Sequence, residues 1–87
     1  MSEIDFPPQE HLDGSSDLIS FPAVVDGQTV PCAVEVEALQ DACHAGQDDP
    51  LRVFREYRPS IEAAAARLIE NGRFEHNGGV LVTAQDL

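Results

Sequence analysis

The chain has no lysine and no tryptophan, and its 16 acidic residues are opposed by only 5 basic ones, all arginine, for a formal net charge of −11. Such a chain repels phosphate backbones and anionic lipid headgroups at long range, which counts against nucleic-acid and membrane partners. The plain reading of the acidity is solubility. Long apolar runs are also missing. No stretch approaches the roughly 18 residues of a membrane span, and the opening "MSEIDFPPQEHLDG" has neither the basic start nor the apolar run of a secretion signal. The expectation is a cytoplasmic protein whose two cysteines, Cys32 and Cys43, are reduced thiols.

What is present suffices for one core. The chain has 87 residues, 43% of them hydrophobic, and a chain of this size buries about 60 to 65% of its unfolded surface. Residues 1–17 read as a polar N-terminal arm in which "IDF", residues 4–6, can add a short strand, and 18–87 read as a single domain.

The stretch "LISFPAVVDGQTVPCAV" predicts two strands joined by a two-residue type I′ turn at Asp26-Gly27. With Val25 opposite Gln28, Pro22 falls opposite Pro31, Phe21 opposite Cys32 and Ile19 opposite Val34. One face then carries Ile19, Phe21, Ala23, Val25, Val30, Cys32 and Val34, and is the expected core side. The two prolines fall on a non-hydrogen-bonded pair, so neither removes a bond from the hairpin. Their missing N–H groups would have pointed outward, so they should blunt both edges and interrupt or shift any strand docking beside them.

Beyond the hairpin, Val36, Leu39 and Cys43 recur at helical spacing in a short helix ending at Gly46. Asp49 is placed to cap a second helix starting at Pro50, with Phe54, Tyr57, Ile61, Ala64 and Leu68 as its apolar stripe up to Asn71-Gly72. Because the stripe keeps its phase across Pro59, one helix over about 50–71, bent at that proline, is expected. "HNGG" makes a turn, "GVLVT" a last strand, and Thr83 with Asp86 a helical start. The predicted class is α+β, in the order ββααβ: a small, mostly antiparallel sheet, hairpin plus C-terminal strand, packed against one long and one short helix.

Chemistry-bearing patterns are sparse. Cys32, Cys43, His44 and His76, with His11 in the arm, are the soft ligands, and their spacing lacks the paired arrangement of a structural zinc site. Neither a metal nor a cofactor is expected. Cys32 reads as a small buried residue, and a Cys32–Cys43 disulfide, though conceivable, is disfavoured in a reducing compartment. No G-x-S-x-G elbow or phosphate-binding loop occurs, and the carboxylates read as a solvated surface, so no catalytic residue is assigned. Arg52, Arg55 and Arg58 form the one local positive feature, a candidate contact for an anion or an acidic partner. The plain reading is surface pairing of Arg52 with Glu56 and Arg58 with Glu62 at i, i+4 spacing.

The stretches "ISFPAVVDGQTVPCAV", "EALQDAC", "VFREYRPSIEAAAARLIENG" and "VLVTAQDL" together resemble a small bacterial family known only as domain of unknown function 1488. The resemblance implies a compact α+β domain, usually a stand-alone protein, with no established activity, cofactor or catalytic residue to carry over. Some members are labelled as transcriptional regulators, a label the charge of this chain does not support. Glu35 stands where the family pattern has a helix-capping serine, and Pro59 where a non-proline residue is usual.

Three readings of function follow. The first is a non-enzymatic protein-interaction module, self-associating or binding another protein through the second hairpin face, where Leu18, Pro22, Val24, Pro31 and Ala33 form an apolar patch if nothing covers them. The second is a small ligand-binding protein or enzyme whose site the fold assembles from His44, His76 or the arginine helix. The third is a transcription-related regulator contacting nucleic acid through the arginine helix.

Overall fold

The computed structural model describes residues 3–15, 17–43 and 49–87, with the side chains of 42 and 43 excepted. The elements are β1 (Ile4–Asp5), β2 (His11–Asp13), β3 (Leu18–Val25), β4 (Gln28–Glu35), α1 (Val36–Cys43), α2 (Pro50–Glu56), α3 (Arg58–Glu70) and β5 (Val80–Val82), closed by a 3-10 turn at Ala84–Asp86. The class is α+β, with a mixed, mostly antiparallel sheet in the order β1-β3-β4-β5 and β2 also on the β1 side of β3. No helix among the described residues is long and apolar enough to cross a membrane.

Asp26 and Gly27 have φ of 51° and 86°, both left-handed as a type I′ turn requires. That turn sets Val25 against Gln28 and, from there, Pro22 against Pro31 and Ile19 against Val34, the register the turn predicts. The turn also anchors the chain start: the Asp26 carboxylate accepts from the Glu3 N–H at 3.0 Å, and the Asp26 N–H donates to the Glu3 carbonyl at 3.0 Å.

Both prolines bound neighbouring strands. β1 pairs with Val24 and Val25 and β2 with Leu18 to Ser20, leaving Phe21, Pro22 and Ala23 in the gap between them. On the other edge, β5 runs parallel to β4 and starts beside Cys32, one residue past Pro31. The edges are blunted where an N–H is missing.

The helices cover one face. Ile19, Phe21, Cys32 and Val34 of the sheet pack with Leu39, Phe54, Ile61, Ala64 and Val82 in one core. Burying a side chain such as Phe54, fully inaccessible here, contributes about 1.5 to 3 kcal/mol. Phe6, Phe21 and Phe54 stack in series, with centroid separations of 6.2 and 5.4 Å, and join arm, sheet and helix.

The expected single helix over 50–71 is instead two. Helix α2 ends at Tyr57, whose φ of −102° and ψ of 12° leave the helical region, and α3 begins at Arg58. In a continuous helix the Pro59 ring would strike the Arg55 carbonyl and leave it without a donor. With the break at Tyr57, Pro59 sits in the first turn of α3, where a backbone N–H has no helical acceptor and its absence costs nothing. Tyr57 is therefore not on the apolar stripe but 39% exposed. Val53, Ala65 and Ile69 are buried with Phe54, Ile61 and Ala64. Asp49 caps α2 by accepting from the Leu51 N–H at 3.2 Å, as its position implied. Thr83 and Asp86 form a reciprocal capping box.

Candidate functional site

Side chains alternate across a sheet, and paired residues share a face, so the register defines the face turned away from the helices. Its rows are Asp5, Val24 and Thr29; Pro22 and Pro31; His11, Ser20, Ala33 and Leu81; and Asp13, Leu18 and Glu35. The five residues expected to form a patch, Leu18, Pro22, Val24, Pro31 and Ala33, thus lie together. Pro31 is exposed and the other four are half-buried.

Over this face runs an open groove of about 840 Å³. Its floor includes Leu18, Pro22, Pro31, Ala33 and Leu81. One wall is the arm segment Gln9, Glu10 and His11, and the other is Glu75, His76 and Asn77. Each wall thus carries a Glu-His pair.

The second wall is a tight turn. The Glu75 N–H donates to the Gly79 carbonyl at 2.8 Å, the Gly79 N–H donates to Asn77 Oδ1 at 2.8 Å, and Gly78 has φ of 82°. Gly79 meets Pro31 so closely that a Cβ there would lie 2.9 Å from the Pro31 carbonyl oxygen. Glycine is required at this point, and it holds the wall beside the floor.

The first wall is held by two of the three helix arginines. Arg55 Nε donates to Glu10. Arg58 donates to Glu10 at 3.1 Å, to the Pro7 carbonyl at 2.6 Å and to Glu62 at 2.7 Å, and its guanidinium lies 5.2 Å from the Phe54 ring centroid. The expected Arg58–Glu62 pair is present, and the acidic group met by Arg55 and Arg58 belongs to the chain's own arm. Arg52 is exposed.

Cys32 is a free, buried thiol whose Sγ donates to the Val30 carbonyl at 3.7 Å. Burial pushes its pKa up to about 11, so the reactive thiolate is scarce at neutral pH. His44, part of the ligand-binding reading, and the Gly46 helix end lie outside the described residues. His76 is exposed on the groove wall.

Sequence reasoning missed β2, and with it the placement of His11 on the outer face. The signal was the short alternation of "HLD". It also missed Leu81, which the alternation of "VLV" placed on the floor once β5 joined the sheet.

The sequence matches the model of a protein family of unknown function, DUF1488, over residues 4–82. It is 34% identical over 80 residues to the uncharacterized protein YrdB of Escherichia coli strain K12 and to that of Shigella flexneri, each alignment covering 88% of this chain and 92% of the relative. A crystal structure of a DUF1488-family protein of unknown function from Shewanella loihica superposes with a TM-score of 0.84 at 25% identity, covering 92% of this chain and 91% of that one. The chain belongs to the DUF1488 family.

Proposed function

We propose that the chain is a non-enzymatic protein-interaction module that docks a partner on the outer face of its sheet. One observation carries this reading: the helices cover one face, while the other presents a groove with an apolar floor between two polar walls. That arrangement, an apolar centre with a polar rim, is the anatomy of a protein-binding patch. The internal pairing of Arg55 and Arg58 with Glu10 leaves less positive surface for nucleic acid.

A second reading, an apolar small molecule held between the His11 and His76 walls, rests on the groove volume, which lies within the roughly 300 to 1,000 Å³ usual for ligand pockets. Photo-crosslinking separates the two. A photoreactive residue at Ala33 on the floor should give a discrete protein adduct in cells, while one at the exposed Ala63 of α3 should not. No protein adduct at Ala33 would remove the interaction reading and leave the small-molecule one.

A further inference from the structure

We infer that the partner on the outer face is a cationic amphipathic segment of another protein, apolar on one side and flanked by lysine or arginine, rather than a second copy of this chain. The inference rests on the docking role proposed above and concerns who docks.

The argument is the segregation of charge about the sheet. The outer-face rows end in acids at three corners, Asp5, Asp13 and Glu35, of which Asp13 already accepts from the Ser15 N–H and hydroxyl, and Glu75 stands on the groove wall. All five arginines fall between residues 52 and 73, on α2, α3 and the segment that follows. Glu10, on the opposite wall, already serves Arg55 and Arg58, so it adds little to the field. By register Asp5 and Glu35 stand at the margin of this sheet face beyond the groove, Glu75 lines the groove itself, and no arginine is among the groove's lining residues.

A second copy would bring one acidic border against another, between chains of net charge −11 each. Like charge at a rim slows encounter and selects against the pairing, and opposite charge does the reverse. Apolar side chains between basic flanks would fill Leu18, Pro22, Ala33 and Leu81 while meeting the corners.

The probe is a 14-residue peptide with a leucine stripe flanked by lysines, compared with the same peptide carrying glutamate for lysine and with one carrying serine for leucine. Binding is read by fluorescence anisotropy and by NMR shifts. The leucine-lysine peptide should bind, shifting the amides of Ser20, Ala33 and Leu81, and both controls should bind far more weakly. Asp5→Asn with Glu75→Gln should weaken binding about three- to ten-fold. Glu56→Gln with Glu70→Gln, which removes the same charge from the helical side, should leave it unchanged.

Equal losses in the two double variants, or shifts spread over the whole protein, would reduce the effect to net charge and overturn the inference. Sedimentation showing a dimer that Ala33→Glu dissociates would also overturn it while preserving the docking role. Tight binding of the glutamate peptide to the same face would do likewise. No peptide and no second copy on that face would remove both.

Discussion

Arg58 of α3 donates to the carbonyl of Pro7 at 2.6 Å, a contact across 51 positions of sequence that fixes the arm against the helices. The same guanidinium bonds Glu10 and Glu62 and rests on Phe54. One side chain thereby sets where the first groove wall stands.

Arg58→Ala should destabilise the protein by about 2 to 3 kcal/mol, because its loss leaves the partly buried Glu62 carboxylate and the Pro7 carbonyl without their donor and Glu10 with Arg55 alone. Lysine cannot reproduce the planar fork, so Arg58→Lys should recover only part. Urea denaturation gives the stability. Hydrogen exchange should show faster exchange at His11 to Asp13 in both variants, and unchanged exchange there would contradict the strut role.

Gly79→Ala places a Cβ 2.9 Å from the Pro31 carbonyl oxygen and 3.0 Å from Asn77 Oδ1. Overpacking of this kind costs about 1 to 3 kcal/mol. Gly14→Ala, with nothing within 4 Å of the new atom, should leave the melting temperature nearly unchanged. A similar melting temperature for both variants would mean that the wall yields freely.

Pro59→Ala distinguishes a helix start from a helix interior. Relief of an interior proline would stabilise by about 3 kcal/mol. In the first turn of α3 the change should stay below about 1 kcal/mol in either direction. A gain near the larger figure would place Pro59 inside a continuous helix.

The Cys32 pKa, raised from 9.0 to about 11 by desolvation, gives stability an alkaline limit. Below pH 9 the thiol is protonated in folded and unfolded chains alike, and its contribution is complete. Between pH 9 and 11 the unfolded chain releases its proton first, so stability falls as pH rises. In a Cys43→Ser background, chemical denaturation at stepped pH should show this fall, and Cys32→Ala should remove it. Alkylation of Cys32 at pH 8 should be slow without denaturant.

Local rules were legible where they act over a few residues. Asp26-Gly27 demanded a turn with two positive φ values, and the turn fixed every pair from Val25–Gln28 outward. Asp49, Pro50, Thr83 and Asp86 announced their caps because a capping side chain reaches only two or three residues along the chain. The break at Tyr57 was not read, although its cause is local: the continuous phase from Phe54 to Ile61 masked the steric demand of Pro59. The second hairpin face was legible as a list of residues by alternation. That, among the described residues, it would form the floor of a groove was not.

By itself, then, the sequence determined the hairpin and its register, the caps and the alternation that sorts core from outer face, all of which follow from backbone sterics and hydrogen bonds between near neighbours. Only the tertiary structure decided that β5 runs parallel beside Cys32, that the arm adds β2 to the far edge of β3, and that Arg58 ties Pro7 and Glu10 to the helices. The first and last of these join residues about fifty positions apart, where burial of the whole apolar set, rather than any local preference, selects the arrangement, whereas β2 folds back on its near neighbour β3 and is decided by which edge of the sheet is open. The groove exists because of them: its floor was written in the strands, and its walls were supplied by packing.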